Sequence, residues 1–499
     1  MNKSRKILSF LSLTVVIFFS FYRLGLDSVT TDDTHFKNWS YVFMKEYEQK
    51  KYDRLYVSVQ PGVLTIYTNI LGFKSFYFLR DKLGFFQDIT ETQTDLFIHI
   101  FSKIPKSVLV LLCLIAASLL VKRVFGFRIG LLFFLLMGLE PFVLGNTRVI
   151  QTDILPAYLV FISTLIFYRI KEKGNYYYYA LVGTLLGLSN IEKASTVVVL
   201  PIFLGFIMVR RESIKVKLLK MITLVSVFLL TMILLFPAFW GNLSFTFWRL
   251  FIGSFIQGVK GQDAETFTYA TTAHVRQWYF YFRFLYNQLS EFTLVGLFSG
   301  FIFLVRNSLN KNYDKLSKYI FLVVVPLIFL LLFQLSTKKV ERFMLYLFPF
   351  IILYASSGIV WVASRYKLFT IIIVTIITIR IVQFIFLFPD FLIYRNFLTL
   401  DRNYSTNYIS WGVGFYKLSN FLETTYGFNK VIYIGDYQSL RLFYNGFVLD
   451  KEVLDINSYY DLVIKTNEQE DNKIILESSK LDGIYSPYKY VNFYIYKRL

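Results

Sequence analysis

Apolar runs recur along the chain at 7–22, 105–121, 129–145, 154–168, 176–189, 194–209, 219–239, 289–305, 319–335, 343–363 and 368–388, each bounded by charged or Gly- and Pro-containing stretches. Each run is close to the length an α-helix needs to cross ~30 Å of hydrocarbon, so the pattern predicts eleven transmembrane helices. The first follows Lys3, Arg5 and Lys6 as a signal peptide would, but no small-x-small cleavage site comes after it, and it reads as an anchor helix. Beyond residue 389 the pattern changes. Alternating segments such as 431–437 and 460–466 stand among Asn, Asp and Gly turns, which predicts a small α/β or β-rich domain over 389–499 after a transmembrane domain over 1–388.

Composition removes the alternatives. Of 499 residues, 55% are hydrophobic and only 17% charged, against about 25% charged in soluble proteins. This excludes a string of soluble domains, a disordered chain and a disulfide scaffold, and the single Cys113 admits no intrachain disulfide. The net charge of +20 would suit a nucleic-acid partner, but the basic residues punctuate apolar spans. With the N-terminus inside, the inner turns hold Lys122, Arg123 and Arg128, then Arg169, Lys171 and Lys173, then Arg210 to Lys220, Arg306 to Lys318, and Arg365 with Lys367. That segregation is the positive-inside rule. It accounts for most of the charge without nucleic acid and predicts a plasma-membrane protein with a cytoplasmic N-terminus and an extracytoplasmic tail.

The outer face then receives the long loop 27–104, the turns at 140–153 and 336–342, the loop 240–288 and the tail. Asp32 and Asp33 open the first of these. Adjacent carboxylates at a membrane surface suit a general base with a metal or hydrogen-bond partner, and they equally suit a helix N-terminus. Arg148 and Asp153 either pair with each other or serve a site. Lys338, Lys339 and Arg342 put three basic residues in a short outer turn against the charge rule, which suits a lipid phosphate as well as headgroup snorkelling. Lys193 adds a cation between two spans, and Arg380 lies inside the last one, where it should face the bundle.

The order of these elements resembles the GT-C class of membrane glycosyltransferases, in particular the protein O-mannosyltransferase and aminoarabinose-transferase superfamily that uses phospholipid-carried sugars. Asp32-Asp33-Thr34-His35-Phe36 resembles the family's Asp-Glu-x-His-Phe-like element, with Asp33 in place of Glu. Gln60-Pro61-Gly62-Val63 resembles its His-Pro-Gly-Val turn, with Gln60 in place of His. Arg148 and Asp153 keep its Arg-x4-Asp spacing after Glu140-Pro141-Phe142, Pro237-Ala238-Phe239-Trp240 resembles Pro-Ala-x-Trp, and Lys338 to Phe343 resembles Lys-Lys-x-x-Arg-Phe. Phe388-Pro389-Asp390, Tyr394-Arg395-Asn396 and Trp411-Gly412-Val413-Gly414 resemble the segment leading into the family's external C-terminal domain.

The resemblance implies a GT-C fold, with 27–104 as the catalytic loop, and the compact size without long inserted domains points to a prokaryotic plasma membrane. It implies inverting transfer of a sugar from a polyprenyl-phosphate donor to a hydroxyl of a protein, lipid or glycan acceptor. Asp32 would be the base, with Asp33 and Asp153 as further catalytic acids. Lys193, Lys338, Lys339 and Arg342 would hold the donor phosphate and stabilise the leaving group, while His35 and Arg148 would bind or orient the acceptor. Trp278, Tyr279 and Tyr281 suit stacking on sugar or isoprenoid as well as an interfacial aromatic belt. A divalent cation at the paired acids is the one cofactor this reading admits. Competing readings are a transporter or flippase of lipid-linked sugars, for which broken helices and inverted repeats would be the sign, and a scaffold working through the tail.

Overall fold

The structure, a computed structural model, describes residues 3–27, 29–58, 60–170, 175–254, 256, 279–309, 313–336, 339–366, 368–399, 412–427, 430–434, 437–444, 446–449, 461–466, 479–488 and 491–498. Of the residues singled out above, Lys338, Trp278, Trp411, Lys171, Lys173, Lys311 and Lys367 lie outside these.

The first half of the chain forms α1 (Lys3–Phe21), α2 (Thr31–Glu48), α3 (Val63–Leu83), α4 (Glu91–Phe125), α5 (Phe127–Leu139), α6 (Pro141–Arg148), α7 (Ile154–Arg169), α8 (Tyr176–Glu192), α9 (Val199–Met208) and α10 (Ile214–Leu235). Further helices run over Phe280–Gln288, Glu291–Leu309, Tyr313–Leu335, Phe348–Tyr366 and Phe369–Leu387. Each apolar run of the sequence is thus helical over much of its length. Among the described residues, four helices are by themselves long and apolar enough to cross a membrane, Glu91–Phe125, Ile214–Leu235, Phe348–Tyr366 and Phe369–Leu387, and two bent pairs bring the number to six.

One of those pairs departs from the sequence expectation. The run 129–145 reads as a single span, but it breaks between α5 and α6 with a bend of 62°. Pro141 has no N–H to continue the ladder and forces the residue before it out of the helical region, and Glu140 is accordingly extended (φ −68°, ψ 117°). The break turns the Glu140 carboxylate onto the start of the helix Glu291–Leu309, where it accepts from Ser290 N (2.6 Å), Ser290 Oγ (2.7 Å) and Thr293 Oγ1 (2.7 Å). A buried acid from one span thereby satisfies donors at the N-terminus of another.

Helix α7 is apolar on every side and lies at the centre of the bundle, as such a pattern requires. Its Phe161 stacks on Phe133 (5.3 Å) and meets Phe350 edge-on (5.0 Å). The helices Glu291–Leu309 and Phe348–Tyr366 touch backbone to backbone: a Cβ on Gly358 would lie 2.2 Å from Gly300 N. Small residues permit that close approach, the usual way spans associate where no hydrophobic drive is available.

The tail folds as a five-stranded sheet, β1 (Val431–Ile434), β2 (Phe447–Leu449), β3 (Leu462–Thr466), β4 (Ser479–Tyr488) and β5 (Val491–Arg498), in the order β2-β1-β3-β5-β4. Strand β1 is parallel to both neighbours, with Ile432 opposite Val448 and Leu462, whereas β5 runs antiparallel to β3 and β4. A helix over Phe415–Tyr426 covers the sheet through Phe415 on Phe493 (5.3 Å) and Phe421 stacked on Tyr485 (4.3 Å).

Candidate active site

The end of α1, the start of α7, the end of α8 and the segment before Phe348 meet at one end of the bundle, opposite the ends that carry Lys122, Arg169 and Arg210. Thr30 is the N-cap of α2: its hydroxyl accepts from Asp33 N (3.0 Å), while Asp33 Oδ2 accepts from Thr30 N (2.6 Å), a reciprocal capping box. Asp33 Oδ1 accepts from Ile150 N (2.8 Å), and Lys103 Nζ lies 3.9 Å away. The expectation that Asp33 serves as a catalytic acid meets a physical obstacle. Both of its oxygens are engaged, and the residue is wholly buried.

Asp32, one position earlier, is free of capping. Its side chain is 30% exposed and is paired with Arg342 through Oδ2 and Nη1. Arg342 comes from the 3₁₀ turn Glu341–Tyr346, and its Nε also faces Asp153 Oδ2 at 3.4 Å. That approach allows charge attraction but is too long and poorly aligned to be a good hydrogen bond. Asp153 is fully buried at the start of α7, and its other oxygen is paired with Lys193 Nζ at the end of α8. The result is a chain of alternating charge, Asp32, Arg342, Asp153, Lys193, drawn from four separate elements. Burial pushes the Lys193 ammonium below its ordinary pKa although Asp153 opposes it. Burial also works against the Arg342 charge, but Asp32 and Asp153 outweigh it and hold the guanidinium above its ordinary value.

Other expected site residues do different work. Arg148 does not pair with Asp153. It donates to Asp27 Oδ2 (2.8 Å), Phe19 O (2.8 Å), Tyr22 O (3.2 Å) and Arg23 O (3.2 Å), thereby satisfying carbonyls at the end of α1. The extended backbone at Val149 carries the chain away from Arg148 before Asp153 is reached, so five residues of spacing place the two charges in different neighbourhoods. Lys339 donates to Phe333 O (3.0 Å) and Gln334 O, the last carbonyls of the helix Tyr313–Leu335. His35 is exposed and stacks on Trp39 at 5.5 Å. Arg380 finds its partner in Gln383 Oε1 (2.6 Å) and lies over the rings of Phe292 and Tyr394.

The sequence reading missed the buried ring beneath Asp33. Lys103 Nζ donates to Asp27 Oδ1 (3.0 Å), Lys106 Nζ donates to Val149 O, and Lys37 lies 3.4 Å from His99 Nδ1. Burial would push the Asp27 carboxyl up, but Lys103 and Arg148 prevail and hold it below its usual range. Burial, then Lys103 and Lys37, keep His99 well below its ordinary pKa, so it is neutral at pH 7. Glu192 also had no role assigned. Its carboxylate accepts from Leu64 N (2.8 Å) and Thr65 N (3.1 Å), and its carbonyl from Gly62 N (3.1 Å), which ties the Gln60-Pro61-Gly62 turn and the start of α3 to the residue before Lys193.

A divalent cation prefers several oxygen ligands, usually carboxylates and waters. Among the described residues no three His, Cys, Asp or Glu side chains converge as a metal group. Asp32 and Asp153 are each already neutralised by a cationic side chain, so this donor set does not fit a metal.

Comparison with known proteins bears on the whole chain. Residues 99–240 match the family described as dolichyl-phosphate-mannose-protein mannosyltransferase. No curated protein matches by sequence. Among solved structures, ArnT from Cupriavidus metallidurans bound to undecaprenyl phosphate superposes with a TM-score of 0.52 at 10% identity, over 98% of this chain and 97% of that one. Apo ArnT from the same organism gives a TM-score of 0.45 at 10% identity over 70% of this chain, which spans 59% of that chain. An Archaeoglobus fulgidus oligosaccharyltransferase in the apo form gives 0.45 at 11% identity over 93% of this chain and 69% of that one. Across residues 99–240 this chain is thus similar in sequence to the dolichyl-phosphate-mannose-protein mannosyltransferase family, and along almost its whole length it is similar in fold to ArnT.

Proposed function

We propose that the chain is an inverting membrane glycosyltransferase that moves a sugar from a polyprenyl-phosphate donor to an acceptor hydroxyl. The observation that carries this reading is the chain Asp32, Arg342, Asp153, Lys193 at one end of the bundle. By the positive-inside rule that end is extracytoplasmic, in a prokaryotic plasma membrane with eleven spans over 1–388 and the tail 389–499 outside. The acceptor is a protein, lipid or glycan hydroxyl.

The donor phosphate competes with carboxylate for the same cations. A phosphate taking Arg342 and Lys193 withdraws Arg342 from Asp32, which is then free to accept the acceptor's proton. The acceptor oxygen attacks the anomeric carbon from the face opposite the phosphate, the bond from that carbon to the phosphate oxygen breaks, and the electron pair leaves with the phosphate. Phosphate needs no general acid to depart, so one base suffices. Asp153 keeps Lys193 and Arg342 in place between turnovers and holds their charge where it develops on the leaving group. Lys339, three residues before Arg342 in the sequence, adds positive charge on the same side of the membrane. Asp33 and Arg148 fix the segment that carries Asp32, and His35 with Trp39 offers an exposed stacking face to the acceptor. An apolar cavity of about 510 Å³, lined by Leu229, Met232, Phe239, Phe247, Trp248 and Ile252, suits an isoprenoid chain. Arg249, next to Trp248 and lying 4.7 Å from the Tyr56 ring, is a cation at its border.

The test is mass spectrometry of lipid extracts from cells with and without the protein. The reading predicts that a polyprenyl-phosphate sugar accumulates without it, and that Arg342→Ala reproduces the accumulation. An unchanged lipid profile in the deletion would remove the reading.

A further inference from the structure

We infer that the C-terminal tail is a working part of the proposed active site: Ser439, in the short helix Tyr437–Arg441, and Gly412 hold the peptide unit that joins Val29 to Thr30 and so position the N-terminus of α2, on which Asp32 stands. This rests on Asp32 being the base.

The peptide unit in question is held at both ends. Its carbonyl, Val29 O, accepts from Ser439 Oγ at 2.9 Å, and its N–H, on Thr30, donates to Asp33 Oδ2 at 2.6 Å. A rotation of this one plane therefore breaks the contact with the tail and the capping box together. Val29, Thr30 and Ser439 are all buried, so water does not replace either bond at low cost. Gly412 closes the same plane from the tail side. It has a φ of +67°, and a Cβ there would lie 2.2 Å from Val29 O and 2.8 Å from Val29 C. Only glycine meets both demands, a left-handed backbone and contact with another backbone. The turn that carries it is anchored in its own right, since Gly414 N donates to Asp390 Oδ2 (3.1 Å) just past the last span and Val413 is buried.

The other holds on this entry come from within the bundle: Lys103 and Arg148 on Asp27, and Ile150 N on Asp33. Among the described residues, the tail adds the contact at Val29 O. Asp32 is the second residue of α2, so its direction follows from how the helix starts. Ser439 and Gly412 touch none of the reacting groups and are positioning residues.

Hydrogen exchange on the full-length protein in nanodiscs measures the clamp without any substrate. Ser439→Ala should raise exchange in the segment 29–34 about tenfold, the effect of losing one ordinary hydrogen bond on a local opening, while α7 and α10 exchange as before. Ser439→Thr, which keeps the hydroxyl, should restore protection, and Gly412→Ala should loosen the segment further. In cells, Ser439→Ala should accumulate the same polyprenyl-phosphate sugar as loss of the protein does, and Ser439→Thr should relieve it. Unchanged exchange in both the Ser439→Ala and Gly412→Ala proteins would overturn the inference. So would faster exchange with a normal lipid profile, provided Asp32→Asn disturbs that profile. If Asp32→Asn leaves the profile normal, the base reading fails by itself, and the exchange data alone decide whether the clamp exists.

Discussion

Asp33→Asn separates structure from chemistry at the paired acids. In the native fold one oxygen takes Thr30 N and Thr30 Oγ1, each at 2.6 Å, and the other takes Ile150 N at 2.8 Å. An amide can offer its oxygen to only one of these two sites. If it keeps Thr30, its NH₂ faces the buried Ile150 N–H and leaves that donor unsatisfied, at a cost of about 1–3 kcal/mol. Losing the negative charge at the N-terminus of α2 adds about 0.3–1 kcal/mol, and Lys103 at 3.9 Å loses an attractive neighbour. The sum is about 2–4 kcal/mol of destabilisation. Asp33→Glu should not recover it, because the wholly buried site has no room for another methylene. The assay is thermal unfolding of the purified protein in detergent, where the Asp33→Asn protein should melt several degrees lower. A melting temperature equal to wild type, together with abolished transfer, would refute the capping account and return Asp33 to the catalytic set.

Two further outcomes follow from buried groups and a third from the membrane topology. His99 is held neutral in the fold by burial and the nearby lysines and takes up a proton on unfolding below its usual pKa near 6.5, so stability should be complete above that pH and fall as the pH drops below it; His99→Gln should flatten that acid limb, measured as melting temperature against pH. Glu140→Gln should cost little, since an amide oxygen still serves Ser290 N and the hydroxyls of Ser290 and Thr293 can turn to accept, whereas Glu140→Ala should cost about 3 kcal/mol or more by stranding buried donors. A reporter active only in the cytoplasm should stay silent when fused after Leu499; activity there would reverse the membrane side given to the site.

The parts of this architecture that were legible in the sequence are those set by local pattern. Apolar runs of span length became helices because such a run in lipid must satisfy its own backbone. Arg342 stands out because three basic residues in that short outer turn break the charge rule, and Lys193 as a cation between two spans; the structure brings both to Asp153. The bend at Glu140 was foreshadowed by Pro141, but hydropathy averages over one proline and joins the two pieces. Arg148 and Asp153 looked like partners because they are near in sequence, whereas partner choice is decided by long-range packing that brings Asp27 to one and Lys193 to the other. Lys103 and Lys106 went unremarked at the edge of an apolar run, although both sit on the side the charge rule disfavours. That was the available signal for the ring beneath α2. The roles of Asp32 and Asp33 were inseparable in sequence, since either suits a helix N-terminus; only the geometry shows that Thr30 caps and Asp33 answers it.

The central claim is that Asp32 removes the acceptor's proton. Asp32→Asn keeps the side chain's volume, leaves the capping box untouched and gives up only a partly exposed ion pair, which costs at most about 1 kcal/mol. Transfer by the variant in liposomes, supplied with the polyprenyl-phosphate sugar that accumulates in cells lacking the protein, should fall by about 10²- to 10⁴-fold with an unchanged melting temperature. A rate above about a tenth of wild type would contradict the account and leave Asp153 as the remaining candidate base.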